Sequence, residues 1–175
     1  MNKCKNRQRN SGFSLLELLM VVSIIGLVLS VTLASLRDAR VGAQYSVAKH
    51  ELKTMSSAIA VAEPDQQALR VITGSNCSEC SCAGIDLRNL ADAHACTTSW
   101  RSAITIIGAN SDMIDATEQL VRDPWGSPYL LDENEGENAG TPCINDTISS
   151  AGDDARAGTA DDYIITIPFR TARCQ

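Results

Sequence analysis

Ser11-Gly12-Phe13-Ser14-Leu15-Leu16-Glu17 is the stretch on which the fold turns, because a short basic leader ends there and an apolar helix begins. Ahead of Gly12 stand Lys3, Lys5, Arg7 and Arg9 with no acidic residue. Behind it, the 24 residues from 13 to 36 carry a single charge, Glu17. A helix rises about 1.5 Å per residue, so this one is expected to be roughly 36 Å long and can cross a hydrocarbon core of about 30 Å. The leader cations favour the cytoplasmic side, which places the rest of the chain across the membrane.

A secretory signal has a shorter apolar core and then small residues at its cleavage site; here the glycine comes first, and cleavage after it leaves the helix attached. Glu17 needs an explanation. A charge near the bilayer centre costs roughly 2.5–3.5 kcal/mol on insertion scales, so an acid in a spanning segment has a partner or a task, unless it only snorkels to the interface.

The segment Gly-Phe-Ser-Leu-Leu-Glu-Leu-Leu at 12–19 resembles the leader motif of the type IV pilin and type II secretion pseudopilin superfamily. The resemblance implies that a prepilin peptidase cuts between Gly12 and Phe13 and methylates the new amine of Phe13. It also implies that Glu17 pairs with the N-terminal amine of a neighbouring subunit as the chain leaves the bilayer and joins a filament.

Removal of residues 1–12, with four cations and no acid, takes the formal charge from −6 to −10. So acidic a body is a poor nucleic-acid binder, since phosphate contacts require Lys and Arg. It suits divalent cations or basic partner surfaces. Length bounds the exported part to one modest domain. Of seven cysteines, Cys4 lies in the leader. The other six, Cys77, Cys80, Cys82, Cys96, Cys143 and Cys174, are expected to form up to three disulfides in an oxidising compartment, with pairing open. The competing reading is a metal site made by Cys77, Cys80 and Cys82 with His94 and Cys96, although that spacing fits a structural zinc site less well. So many cysteines depart from the pseudopilins most similar in motif.

Beyond Leu36 polar residues enter, yet Ala48, Leu52, Met55, Ile59 and Ala62 recur at helical spacing and describe a core-facing stripe. Pro64 supplies a stop. The reading is one helix of up to about 50 residues, roughly 75 Å long, with no proline between Phe13 and Glu63. Residues 65–84 read as a turn-rich connection with Gly74-Ser75-Asn76 as its breaker. Residues 86–95 are expected to form a short helix with Leu87 and Leu90 inward. Residues 100–107 suit a strand or a buried helix, and residues 112–121 a helix with Ile114, Leu120 and Val121 on the core side. Short strands are expected at 129–131, 147–149 and 163–167. The domains so predicted are leader 1–12, transmembrane and filament-core helix 13–36, amphipathic continuation 37–63 and globular domain 64–175. The fold class is α+β, a long N-terminal helix packed on a small antiparallel β-sheet.

Asp123-Pro124-Trp125-Gly126-Ser127-Pro128-Tyr129 fixes the backbone with two prolines around a glycine free to take positive φ, and turns the chain into a strand. It resembles the signature turn of the major, G-type pseudopilins. Asp153, Asp154, Asp161 and Asp162 fall within ten residues of one another in a glycine-containing loop. Such a loop can wrap oxygen ligands around calcium, though EF-hand spacing is absent and a solvated acidic turn is the plain alternative. Similarity to the calcium loop of G-type pseudopilins implies Asp154, Asp161 and Asp162 as Ca2+ ligands with the Ala151 carbonyl, and leaves Asp153 as a surface acid.

His50 and His94 are the only histidines, and a Cys96–His94 nucleophilic pair lacks an orienting acid. Neither a phosphate loop nor an H-E-x-x-H helix occurs. The expected role is structural, not enzymatic: a subunit of a type II secretion pseudopilus that drives protein export across the outer membrane. The expected partners are itself, other pseudopilins, prepilin peptidase, an inner-membrane assembly platform and the membrane. It is placed as a single-pass inner-membrane protein with its C-terminal domain in the periplasm. A type IV pilin or minor pilin for adhesion, motility or uptake is the alternative. Separately, a monomeric membrane-anchored enzyme is the third.

Overall fold

The computed structural model describes residues 13–62, 69–74, 79–133 and 144–167. In chain order the elements are α1 (Leu15–Ala62), α2 (Arg70–Thr73), a 3₁₀ turn (Cys80–Cys82), α3 (Ala95–Ser111), α4 (Ile114–Thr117), β1 (Leu130–Asp132), β2 (Asp146–Ser150) and β3 (Tyr163–Ile167). The fold is α+β: a long N-terminal helix, shorter helices and a three-stranded antiparallel sheet. The chain divides into two compact units, Met1–Arg40 and Val41–Gln175.

In the first unit, nothing among the described residues covers α1. Its most apolar 18-residue window has a mean hydropathy of 2.5 and none of it is buried. Leu15, Leu16, Leu27, Leu33 and Leu36 are all exposed. Length and composition suffice for a membrane span.

In the second unit, the stripe on α1 forms one wall of the main core. Leu52, Met55, Ala58 and Ile59 pack with Trp100, Ala103, Ile104 and Ile107 of α3 and with Tyr129, Leu131, Ile148 and Ile167 from the sheet side. The sheet order is β1-β2-β3, with Leu131 opposite Ile148 and Ile148 opposite Ile165. Strand side chains alternate faces, so Leu130 joins a second cluster with Cys82, Leu87, Cys96, Ala151 and Ala155.

Two expected helices are corrected. Residues 86–94 are turns, and the helix starts at Ala95. Asp86 Oδ1 accepts the Arg88 N–H at 2.9 Å, Asn89 takes a left-handed φ of 55°, and Leu87 N–H is tied to Ala155 O at 2.9 Å, which together replace helical bonding. Leu87 is nonetheless buried and Leu90 half-buried. Residues 112–121 are helical only over Ile114–Thr117, because Asp112 ends α3 in the left-handed region at φ 55°. Ile114 is exposed, while Leu120 is buried and its carbonyl accepts the Trp100 indole N–H at 2.9 Å. The stretch that suited strand or helix lies within α3. Helix α1 is described to Ala62; Pro64, Ser75 and Asn76 lie outside the described residues.

Candidate assembly segment and acidic loop

The predicted cleavage residue Gly12 lies outside the described residues; Phe13 precedes α1 and is exposed. Ser14 and Glu17 form a reciprocal cap. The Ser14 N–H donates to Glu17 Oε2 at 3.0 Å and the Glu17 N–H donates to Ser14 Oγ at 3.3 Å. Two donors that a helix start leaves orphaned are thereby satisfied. The Ser-x-x-Glu spacing carried this signal in the sequence, hidden behind the assembly reading of Glu17. The carboxylate sits where the helix dipole also favours negative charge.

The turn 123–129 is organised by Asp123. Its Oδ1 accepts the N–H groups of Trp125 at 3.0 Å and Ser127 at 2.9 Å, and its Oδ2 accepts the Ser150 hydroxyl at 2.7 Å. Burial pushes the Asp123 carboxyl up, against the lowering effect of those hydrogen bonds. Gly126 takes φ +88° beside the Asn89 side chain. Arg122 clamps the turn from outside, donating to Gly126 O at 2.8 Å, to Leu90 O and to Asp92 Oδ1 at 2.8 Å. The hydrogen bond from Arg122, then the charge of Arg101 at 3.2 Å, holds Asp92 below the usual carboxylate range.

Helix α1 grips this turn at three places. Gln44 Nε2 donates to Pro124 O at 3.0 Å, the Tyr45 and Trp125 rings meet edge to face at 4.7 Å, and the Tyr129 hydroxyl donates to Glu51. Burial, then the bond to Glu51, raises the Tyr129 phenol. None of these partners carried a sequence signal, since each pairing spans about 80 residues of chain.

The acidic loop closes on its own donors. Asp161 Oδ2 accepts the Asp154 N–H at 3.0 Å and Asp161 Oδ1 accepts the Thr159 hydroxyl at 2.6 Å. Asp162 Oδ2 accepts the N–H groups of Gly158 at 2.7 Å and Thr159 at 3.3 Å, and Asp154 Oδ1 accepts the Arg156 N–H at 2.8 Å. Burial works against the Asp161 carboxylate, yet the Thr159 hydroxyl and backbone N–H groups outweigh it and hold Asp161 below its ordinary value. Asp153 is exposed, and its carbonyl accepts Arg88 Nη2 at 2.8 Å; Ala151 is buried. Among the described residues, no three His, Cys, Asp or Glu side chains gather as a metal-holding group. As folded, Asp154, Asp161 and Asp162 accept N–H and O–H donors of the loop itself.

Cys82 and Cys96 are joined by a disulfide that ties the 3₁₀ turn to the start of α3. Cys80 is also disulfide-bonded, and Cys77, Cys143 and Cys174 lie outside the described residues. His94 is the N-cap of α3, its Nδ1 accepting the Cys96 N–H at 3.2 Å. That use accounts for the His94-x-Cys96 spacing.

Residues 7–33 match the family described as the prokaryotic N-terminal methylation motif. The chain carries the N-terminal motif of type IV pilin-like proteins. Such a motif implies processing by a prepilin peptidase and polymerisation with pilin-like subunits, and with the one apolar helix it fits a membrane-anchored protein. No curated protein and no solved structure matches.

Proposed function

We propose that this chain is a structural subunit of a type II secretion pseudopilus, cleaved after Gly12, methylated on Phe13 and polymerised through the first half of α1. The observation that carries the reading is an uncovered apolar helix whose first turn holds a lone carboxylate, directly after a basic leader ending in glycine. In lipid a solitary Glu17 is electrostatically unsatisfied; pairing with the Phe13 amine of a neighbouring copy supplies the opposite charge, and sets register as well as attraction. The turn 123–129, seated on α1 by Gln44, Tyr45 and Glu51, favours the secretion branch through its likeness to G-type pseudopilins.

The test has two parts. N-terminal sequencing of the membrane-extracted chain is expected to begin at Phe13, and Glu17→Gln is expected to be cleaved but to lose inter-subunit crosslinks. A mature chain still beginning at Met1 overturns the reading. Deletion then separates the branches, since loss of exported enzymes marks a pseudopilus and loss of surface motility or uptake a type IV pilus. The disulfides at Cys80 and between Cys82 and Cys96 are what favours that second reading, because they suit a body displayed outside the cell.

Calcium belongs to the proposal as a ligand that displaces the loop's own donors, above all the Thr159 hydroxyl, from Asp161 and Asp162. Calcium is expected to raise the melting temperature, and Asp161→Ala to abolish that rise. An unchanged melting temperature removes the ion and leaves the filament reading intact.

A further inference from the structure

We propose that Tyr45 latches the acidic loop 151–162 to α1, so that this loop, the turn 123–129 and residues 44–51 of α1 open and close as one unit. The observation is a closed circuit of contacts. From α1, Gln44 and Tyr45 reach the turn at Pro124 and Trp125. From the turn, Asp123 Oδ2 accepts the Ser150 hydroxyl at 2.7 Å, and Ser150 Oγ in turn accepts the Gly152 N–H at 3.3 Å. Within the loop, Gly152 at φ +64° lies so close to the loop's end that a Cβ there would stand 2.6 Å from both the Asp161 carbonyl oxygen and Oδ2. The circuit returns to α1 because the Tyr45 hydroxyl lies 3.2 Å from that same carbonyl oxygen and donates to it.

Tyr45 therefore touches the turn with its ring and the loop with its hydroxyl. Both contacts fall on one side chain of one helix, and the bonds from Ser150 to Asp123 and from Gly152 to Ser150 join loop and turn a second time, so the two share one seat on α1. The Trp125 indole N–H, buried at this contact, has no acceptor among the described residues. Whatever acts on the loop thereby acts on the seat of α1. The inference requires neither a metal nor a filament.

Hydrogen exchange on the processed full chain in detergent micelles tests it. Tyr45→Phe removes the hydroxyl and keeps the ring, so it breaks a loop contact and leaves every bond of the turn in place. Loss of one hydrogen bond is expected to speed exchange of the Asp154 and Gly158 amides by about threefold to tenfold. The latch requires the Trp125 and Ser127 amides to speed up by the same factor while the Ile104 and Ile107 amides of α3 stay unchanged. Thr159→Val, which removes the 2.6 Å bond to Asp161 from the far side of the loop, is expected to give the same pattern. Faster exchange confined to the loop, an equal acceleration in α3, or no acceleration in either variant overturns the proposal.

Discussion

Asp123 places one buried carboxylate under two backbone N–H groups and a serine hydroxyl, and the shape of the turn depends on it. Asp123→Ala strands buried donors and is expected to cost about 2–4 kcal/mol in urea unfolding. Asp123→Asn keeps an acceptor for both N–H groups and is expected to cost about 1 kcal/mol or less. Burial raises the folded-state value of Asp123 above its unfolded one, so the folded chain binds this proton more tightly. Its contribution is therefore fully present below the unfolded value, about 3.9, and is lost as pH rises through the raised folded value. Melting curves taken from pH 4 upward are expected to lose that component in Asp123→Asn. The same residue shows what a sequence conceals. Two prolines and a glycine announce a turn from local backbone rules, but that the aspartate is buried depends on Ser150, 27 positions away.

Among the elements, α1 and β3 were the most legible. A stripe at helical spacing and a run of β-branched residues each express one period over several turns or pleats, and Ala48, Leu52, Met55 and Ile59 are buried as that period requires. Residues 86–94 were misread because two inward leucines at helical spacing fit a turn equally well when its backbone bonds go elsewhere, here to Asp86 and Ala155. Helix α3 shows the reverse, a segment ambiguous by pattern and settled by packing in one core with residues of α1 and the sheet. Its start is pinned by the His94 cap and by the Cys82–Cys96 disulfide, whose partners are separated by 14 residues. Closing a loop of that size is worth about 3 kcal/mol on a chain-entropy model. Replacing both cysteines by alanine is expected to lower unfolding free energy by about 2–4 kcal/mol, read from the denaturant midpoint.

For the molecule as a whole, every buried core residue among the described residues lies at position 48 or later, and the described part of the first unit contributes none. A fragment beginning at Val41 is therefore expected to keep its fold and remain soluble without detergent, checked by circular dichroism and size exclusion. The full chain is expected to need detergent, because its exposed leucines and valines form a continuous apolar surface. Aggregation of the Val41 fragment would show that the first unit carries fold stability as well as attachment.

The sequence alone determined the N-terminal methylation motif, the membrane-length helix, the core stripe and the α+β class, because each is written in residue order or hydrophobic period within one local segment. Tertiary structure decided how Gln44, Tyr45 and Glu51 hold the turn, which cysteine meets Cys82, and that the loop carboxylates take N–H and O–H donors. Those facts rest on distances between residues far apart in the chain, and a distance of that kind exists only after the core has closed.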